Sequence, residues 1–509
     1  MRPGAGWSLI SEPLQTIERP GTVPIFSRSY FYPVATVKKL VGAAALYGVS
    51  SIVARLLNFL LTPLHTAVLP KSEYGAYSDL YVFIAFLMVV LTYGMETAYF
   101  RFSQKKDAQP EAVYSTAQLS IGATTVFFLL ILSLFYKPIA EVLRYGDRPE
   151  LVWGMGAIVA MEALAAVPFA RLRAQGKALR FVAIKTGLIL VNIALNLLFY
   201  QYLPAHNPAF RADTVQWVLV ANLGASVFML LCLWPEFRAI RWSHWDKQLW
   251  KALLWFGFPL LLAGLPGVAN EMADRFFIKY LLPADTSLAE VGTYSAVYKL
   301  SIFLVMFNQA FRYAAEPFFF KAGGEGDAGP VLARTTRAFL AVVGLGMVAV
   351  LAGLDYIKYF IAEKYWDHLH LLPILLLANL FLALNTQLSM GYKLQDKTAL
   401  ALRVTLVGFA LTVGLNLWWI PIWGIEGAAW ATLASYAGMT VVSYALGRTH
   451  FPVPYEVGKL GLYLLAAAAT GYAAYGASGH LIFQLLALLV YVLVVFGVER
   501  PDRWRRSAR

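Results

Sequence analysis

The stretches "YGAYSDLYVFIAFL" (residues 74–87) and "VGTYSAVYKLSIFL" (residues 291–304) align without a gap. At a nearly constant offset, "RAQGK" (173–177) also matches "KLQDK" (393–397), and "LNLLF" (195–199) matches "LNLWW" (415–419). Within the first pair of stretches the identical positions are Gly75/Gly292, Tyr77/Tyr294, Ser78/Ser295, Tyr81/Tyr298, Phe86/Phe303 and Leu87/Leu304. Most matched residues are glycine or polar rather than leucine, so the pattern indicates an internal repeat instead of chance likeness between apolar helices.

The composition identifies the chain as a membrane protein. Of its 509 residues, 59% are hydrophobic and 14% are charged, whereas soluble domains are about 45–50% apolar and about 25% charged. A formal charge of +13 is typical of membrane proteins whose basic residues gather in cytoplasmic loops, so we expect no nucleic-acid partner. Cys232 is the only cysteine, which excludes disulfide frameworks and multi-cysteine metal sites.

Apolar runs of about 20 residues predict helices that cross a bilayer. About fourteen such runs occur, near residues 40–66, 74–99, 112–136, 150–171, 179–200, 213–234, 251–282, 288–318, 332–354, 371–391, 398–420, 423–447, 456–476 and 481–499. The repeat covers six of them, an even number, so its two copies have the same orientation. The predicted fold is an all-α polytopic membrane protein with two six-helix lobes, related as a parallel repeat, and two C-terminal helices. Transporters are often built in this way.

Basic residues predict the orientation. They gather after the second, fourth and sixth runs and in the C-terminal tail, which the positive-inside rule places in the cytoplasm together with both termini. The predicted segments are a cytoplasmic N-terminal segment (1–38), an N-lobe (39–236), an interfacial connector (237–250), a C-lobe (251–450), helices 13 and 14 (451–499) and a basic cytoplasmic tail (500–509).

Two further features concern the junction of the lobes. In the connector, Trp242 and Trp245 lie three residues apart and Lys247 and Lys251 four apart, which predicts a helix lying flat in the membrane interface. The seventh run contains Pro259 and Pro266. Because proline removes a backbone donor and clashes with the preceding turn, this helix should kink or break near mid-membrane. Both prolines are therefore hinge candidates.

Some charged residues inside the predicted spans have an oppositely charged neighbour on the same helix face. Glu271/Arg275 and Arg312/Glu316 are each four residues apart, the spacing at which helical side chains meet. These residues are predicted to neutralise each other near the membrane boundaries.

Arg55, Lys185 and Lys299 have no such neighbour. Each cation falls in only one copy of the repeat, and charge inside a bilayer is expensive unless it is paired or functional. We expect the three to face a water-filled central cavity and to bind an anion, because arginine offers a planar fork for phosphate oxygens and lysine a mobile point charge. The alternative is a buried pair between Arg55 and Glu162.

Polar residues in the same helices belong to this candidate site. Each of them either lines the cavity or hydrogen-bonds between helices. They are Asn58, Glu162, Asn192, Asn196, Asn308 and Gln309.

Signatures of an enzyme are missing from the sequence. The glycine-rich "AGGEGDAGP" (322–330) lacks the lysine of a phosphate-binding loop. His368 and His370 are two residues apart, which is poor geometry for a helical metal pair. We therefore expect no enzymatic activity, no metal and no cofactor.

The sequence resembles the bacterial polysaccharide-biosynthesis flippases of the Wzx type. This resemblance spans roughly residues 37–450 and is carried by "YGVSSIVARLLNFLLTPLHT" (47–66), "EYGAYSDLYVF" (73–83), "YGMETAYFRF" (93–102) and "GIEGAAWATLASYA" (424–437). The superfamily also holds MATE drug exporters and MurJ-type lipid II flippases. The resemblance implies two six-helix lobes in a V shape with a cationic lumen.

The function that the resemblance implies is movement of a polyprenyl-pyrophosphate-linked oligosaccharide from the cytoplasmic to the periplasmic leaflet. This activity would serve O-antigen, capsule or exopolysaccharide biosynthesis in the bacterial inner membrane. Expected partners are the lipid-linked oligosaccharide and membrane lipids, with other polysaccharide-assembly proteins as candidates. A MATE-like exporter of organic cations is the alternative, although such proteins use intramembrane acids where the first span here has Arg55. A membrane glycan polymerase or ligase would need a large external catalytic loop.

Overall fold

The computed structural model describes residues 56–57, 59–105, 108–323, 328–394 and 397–507. Its regular structure is helical throughout, with no strand in these ranges. The helices are α1 (Thr62–Val68), α2 (Lys71–Thr92), α3 (Met95–Ser103), α4 (Pro110–Val142), α5 (Pro149–Ala174), α6 (Ala178–Leu197), α7 (Leu203–His206), α8 (Gln216–Cys232), α9 (Trp234–Arg238), α10 (Lys247–Leu281), α11 (Ser287–Gly323), α12 (Ala328–Ala352), α13 (Leu354–Ile357), α14 (Leu372–Lys393), α15 (Thr398–Trp423), α16 (Ile425–His450), α17 (Val457–Gly476) and α18 (Leu481–Ser507).

Eleven helices in the described ranges are long and apolar enough to cross a membrane. The prediction of an all-α polytopic membrane protein is therefore confirmed. The count of fourteen stays a prediction. The first predicted span lies mostly outside the described residues, α8 is an apolar helix of only 17 residues, and α16 (Ile425–His450) is not among the eleven.

Helix packing follows the sequence repeat. In the N-terminal half, α2 packs against α5, α5 against α8, and α6 against α8. In the C-terminal half, the corresponding helices pack in the same order: α11 against α14, α14 against α16, and α15 against α16. Two similar sequences thus form two similar groups of helices, which we call the N-lobe and the C-lobe. The hairpin of α17 and α18 packs against α12.

The lobes meet where α2 crosses α11, at two glycines that the repeat aligns. A Cβ atom on Gly75 would lie 1.6 Å from the carbonyl oxygen of Leu288, and one on Gly292 would lie 2.1 Å from that of Lys71. Only hydrogen fits at either position, so the two backbones touch directly. We call this contact the Gly75 seam.

A second contact joins the lobes at the other end of α2. Gly94 adopts a left-handed conformation (φ 73°) between α2 and α3. A Cβ atom on Gly257 of α10 would lie 2.4 Å from the carbonyl oxygen of Tyr93. We call this contact the Gly257 seam. The lobes are therefore in backbone contact at both ends of α2.

Of the predicted kink or break in the seventh span, the break is wrong and the kink stays a prediction. Helix α10 runs without interruption from Lys247 to Leu281, with Pro259 and Pro266 inside it. Each proline removes one donor, and the rest of the helix persists because lipid offers the backbone no alternative hydrogen-bond partners. The role of the two prolines as hinges stays a prediction.

The connector also differs from its prediction, because it is not one flat helix. The five-residue α9 is followed by a 3-10 turn at Trp242–His244, and α10 then begins at Lys247. Asp246 starts α10 as its N-cap, with its carboxylate accepting the backbone N–H groups of Gln248 and Leu249. Because of this cap, Lys247 and Lys251 belong to the membrane helix rather than to a flat connector.

Candidate functional site

Arg55 and Asn58 lie outside the described residues. Their predicted roles, and the alternative pairing of Arg55 with Glu162, therefore stay predictions. The predicted Arg312/Glu316 pair likewise involves a side chain beyond the described ones. The other predicted site residues lie in three places. Lys185 and Glu162 line a cavity in the N-lobe, Asn192 and Asn196 lie on α6, and Lys299 and Asn308 lie on α11.

The N-lobe contains a cavity of about 290 Å³. Lys185 and Glu162 both line it, as does the ion pair between Arg173 and Glu96. The Lys185 ammonium lies 4.3 Å from the centre of the Phe169 ring, a cation–π distance. Lys185 and Glu162 interact electrostatically, but within the described structure neither forms a direct ion pair. The cavity therefore contains one cation and one acid without a bonded counter-ion.

In the C-lobe, Arg275 of α10 is held by several groups. Its guanidinium pairs with Asp274 at 3.0 Å, donates to the Ser295 hydroxyl at 3.2 Å, and lies 4.7 Å from the Tyr298 ring centre. The expected direct ion pair with Glu271 does not form: Arg275 bonds the backbone carbonyl of that residue at 3.4 Å, and the Glu271 charge acts on it only from a distance. The Asp274 carboxylate also accepts the backbone N–H of Arg275 at 2.8 Å, which turns it back beside the guanidinium.

Lys299 of α11 is half-buried and forms no ion pair with any described residue. Its charge acts on Arg275 within the C-lobe and on His65 of α1. Lys299 thus adds an uncompensated positive charge where the C-lobe faces α1. A cation in such a place is expensive unless water or an anion accompanies it.

His65 is 3% exposed and belongs to a polar network of the N-lobe. Its Nε2 bonds the Asn196 side-chain oxygen at 2.7 Å, and the Asn196 amide donates to the backbone and side-chain oxygens of Asn192 at 2.8 and 3.1 Å. The imidazole makes edge contacts with the rings of Tyr77 and Tyr200. Asn192, predicted as a cavity residue, is therefore held within this network.

The predicted residue Asn308 lies between α11 and α14. Its amide donates to the Thr386 hydroxyl at 3.5 Å, and its side-chain oxygen is buried without a partner among the described residues. The structure thus places Asn308 between helices, and its role as a cavity residue stays a prediction.

A buried ion pair that the sequence analysis missed joins the lobes near the Gly75 seam. Lys279 of α10 lies 2.5 Å from Asp79 of α2, and both side chains are 0% exposed. The Tyr145 hydroxyl donates to the same carboxylate at 2.7 Å, and Arg144 donates to the backbone oxygen of Lys279 at 2.7 Å. Burial beside Asp79 raises the pKa of Tyr145 well above its usual value, so this phenol stays protonated and keeps donating.

The sequence contained a signal for part of this missed pair. Asp79 aligns with Ala296 in the repeat, so its charge is present in only one copy, as at Lys185 and Lys299. No comparable signal marked His65. The importance of His65 depends on the contact between α1 and α6, which spacing along the chain does not reveal.

Taken together, the described part of the site has two basic groups of the C-lobe that act on each other, Arg275 and Lys299, and Lys299 also acts on the buried imidazole of His65 in the N-lobe. Only Arg275 has an acid in direct contact. Such a surface is suited to multivalent anions, whose oxygens replace the missing counter-ions. Tyr77 and Tyr298, each at a position where both copies of the repeat have tyrosine, bring ring surfaces to the same region.

Three comparisons relate the chain to known proteins. The model of the polysaccharide biosynthesis protein family matches residues 40–322, more than half of the chain. No curated protein matches the chain significantly. Among solved structures, the lipid II flippase MurJ in an inward closed conformation is similar, with a TM-score of 0.70 and 12% identity, covering 91% of this chain and 100% of that chain.

Multidrug MATE transporters are also similar in fold. An inward-facing MATE structure gives a TM-score of 0.62 with 15% identity, over 80% of this chain and 96% of that chain. A MATE structure in the straight conformation gives 0.56 with 16% identity, over 84% and 97%. At these identities the structural likeness shows a common fold, while the family match covers more than half of the sequence itself. The chain is therefore a member of the polysaccharide biosynthesis protein family, and it has the fold of the MurJ and MATE membrane proteins.

Proposed function

We propose that the protein is a flippase that moves a polyprenyl-pyrophosphate-linked oligosaccharide from the cytoplasmic to the periplasmic leaflet by alternating access. Its product would serve cell-surface polysaccharide biosynthesis, as O-antigen, capsule or exopolysaccharide. Membership of the polysaccharide biosynthesis family supports the substrate class. The likeness to a lipid II flippase supports transport of a lipid-linked head group rather than catalysis.

We place the protein in the bacterial inner membrane with both termini in the cytoplasm. The support is the gathering of basic residues in alternate connections. In this orientation the Gly257 seam lies at the cytoplasmic end of the lobes and the Gly75 seam at the periplasmic end. A carrier that opens one seam at a time would expose the space between the lobes to each side in turn.

The main support for the proposal is the environment of Lys299. This residue is a half-buried cation without an ion pair among the described residues, acting on Arg275 and His65. A pyrophosphate bound between the lobes would neutralise Lys299, and Arg275 would offer planar donors to its oxygens. Arg55 and Lys185 would extend the same positive surface along the route of the head group.

Glu162 favours a second candidate, a MATE-like exporter of organic cations. This acid lines the N-lobe cavity without a bonded counter-ion in the described structure, and an intramembrane acid is what a cation carrier needs. Lys299 counts against it, because a cation without an ion pair among the described residues would repel an organic cation from the space between the lobes.

Substitution at Lys299 tests the proposal. In a host that lacks the chromosomal copy, Lys299→Ala should abolish surface polysaccharide and leave lipid-linked oligosaccharide accumulating on the cytoplasmic leaflet. Membrane abundance should stay normal, because Lys299 has no ion-pair partner among the described residues that its removal would strand. Lys299→Arg keeps the charge and should retain partial export.

Two further variants complete this experiment. Lys177→Ala removes a lysine from an exposed connection and should export normally. Glu162→Gln should spare glycan export under the flippase proposal, whereas a cation exporter would lose drug resistance with this change. Normal surface polysaccharide in the Lys299→Ala strain, at normal protein level, would refute the proposed role of Lys299.

A further inference from the structure

A groove of about 760 Å³ runs along the outside of the Gly257 seam. Both lobes form it. One wall comes from the end of α2 and from α4, through Val90, Tyr93 and Thr124, and the other from the first turns of α10, through Lys251, Ala252, Leu254, Trp255, Phe258 and Leu261.

Hydrogen bonds within the protein occupy the polar groups around this groove. The Tyr93 hydroxyl and the Ser120 hydroxyl share a bond of 2.8 Å, and the Trp250 indole donates to Ser120 at 2.9 Å. The Thr124 hydroxyl donates to the backbone oxygen of Ile121 at 3.0 Å. With these groups satisfied internally, the groove presents a hydrocarbon surface that suits an apolar chain.

The mouth of the groove has a different chemistry. Lys251 is exposed and forms no ion pair within the described structure, and Trp255 one turn further along α10 is 81% exposed. Trp245 and Trp250 lie close together beside it, with ring centres 5.8 Å apart. Tryptophans of this kind mark the membrane interface. The groove therefore fits an amphiphile with an apolar chain and an anionic group at the level of Lys251.

We propose that this groove holds the isoprenoid chain of the lipid-linked substrate, with its diphosphate beside Lys251 before the head group passes between the lobes. This inference rests on the proposed function. A head group that travels between the lobes stays attached to a chain in the bilayer, so the chain must lie along a seam. The groove follows such a seam and is built from both lobes, and the charge of Lys251 complements a diphosphate.

Photo-crosslinking tests the proposal. The full-length protein in proteoliposomes is irradiated with a long-chain polyprenyl diphosphate that carries a diazirine in its isoprenoid chain. Labelled peptides should contain residues of the groove, and unlabelled polyprenyl diphosphate should compete. A diazirine-bearing phosphatidylglycerol provides the second arm. If it labels the groove equally and polyprenyl diphosphate does not displace it, the groove is a phospholipid site and the proposal is wrong.

Variants sharpen the experiment. Thr124→Trp fills the groove and should lose most of the cross-link, whereas Val126→Trp, on the lipid-facing side of the same helix at 67% exposure, should keep it. Lys251→Gln should weaken labelling by the polyprenyl diphosphate but not by an uncharged polyprenol. Thermal melting of each variant checks its fold. Equal labelling in the Thr124→Trp and Val126→Trp proteins, both folded, would overturn the proposal.

The outcome is separable from that of the proposed function. Lys299→Ala should block export while leaving the cross-link at the groove intact, since Lys299 lies in another region of the protein. A protein that exports glycan yet shows no preferential labelling of the groove refutes only this inference. A protein whose loss leaves surface glycan unchanged refutes the proposed function.

Discussion

At the scale of single residues, the contribution of the Asp79–Lys279 ion pair to stability can be tested by mutation. Both side chains are fully buried between the lobes. Lys279→Met removes one partner and leaves a buried carboxylate without its cation, a change that costs about 3–5 kcal/mol. We expect a lower melting temperature in detergent and lower membrane abundance.

A double variant separates loss of the charge pair from loss of packing. Asp79→Asn combined with Lys279→Met leaves no buried charge, so most of the stability should return, as a double-mutant cycle would show. Lys247→Met makes the same substitution at an exposed position of the same helix and should have no effect. A Lys279→Met protein that melts like the parent would mean that the pair contributes nothing to stability.

Single residues also show how far sequence reasoning reaches. The repeat identified Lys185 and Lys299 as isolated cations, and neither forms an ion pair with a described residue. Helical spacing failed for Arg275, because the adjacent Asp274 turns back along the backbone to reach it. Asp79 and Lys279 meet across two lobes. Their contact depends on the rotation of α2 and α10 about their axes and on how the lobes dock. Neither can be predicted from the spacing of residues along the chain.

At the scale of elements, Asp355 attaches the hairpin of α17 and α18 to the body of the C-lobe. Its carboxylate accepts hydrogen bonds from the Ser478 hydroxyl, the Gly479 backbone N–H and the Gln484 amide, each at 2.7 Å. The bond from Ser478, followed by that from Gly479, lowers the pKa of Asp355 to about 2. The ionised form is therefore the one that the folded protein favours.

This lowered pKa predicts a pH dependence. In an undocked chain the pKa of Asp355 is about 3.9, so its contribution to stability is complete above that pH and is lost as the pH falls towards 2. Asp355→Asn should lower the melting temperature at pH 7, and its difference from the parent should shrink below about pH 4. Asp285→Asn alters an exposed aspartate outside this junction as a control. A difference independent of pH would contradict the role of the carboxylate.

Elements were the level at which the sequence was most informative. Apolar runs located the long helices, because a bilayer requires about 20 apolar residues per crossing. The two errors, at α10 and at the connector, have a common cause. Local rules for proline and for amphipathic spacing ignore the surrounding structure, which here is a long helix that continues through Pro259 and Pro266 and the capping carboxylate of Asp246 before Lys247.

At the scale of the whole molecule, the two seams lie at opposite ends of α2, the arrangement that a carrier opening one end at a time would need. Glycine lets backbones touch at each seam, and each contact joins the N-lobe to the C-lobe. The sequence repeat aligned Gly75 with Gly292 without indicating that they meet. Their meeting follows from the crossing of α2 and α11, the equivalent helices of the two lobes. A side chain added at one seam should therefore disfavour closure of that end alone.

Alanine substitutions provide the test. Gly75→Ala places a Cβ 1.6 Å from the Leu288 carbonyl oxygen and Gly257→Ala places one 2.4 Å from that of Tyr93, whereas a Cβ at Gly267 meets nothing within 4 Å. In a Cys232→Ala background, spin labels on cysteines replacing Asp147 and Asp367 report on the end with the Gly75 seam, and labels replacing Lys177 and Lys397 report on the other. Gly75→Ala should lengthen the first distance only and Gly257→Ala the second only, because each clash opens its own seam, while Gly267→Ala changes neither. If both seam variants lengthened the same distance, the lobes would not move as two bodies about a shared interface.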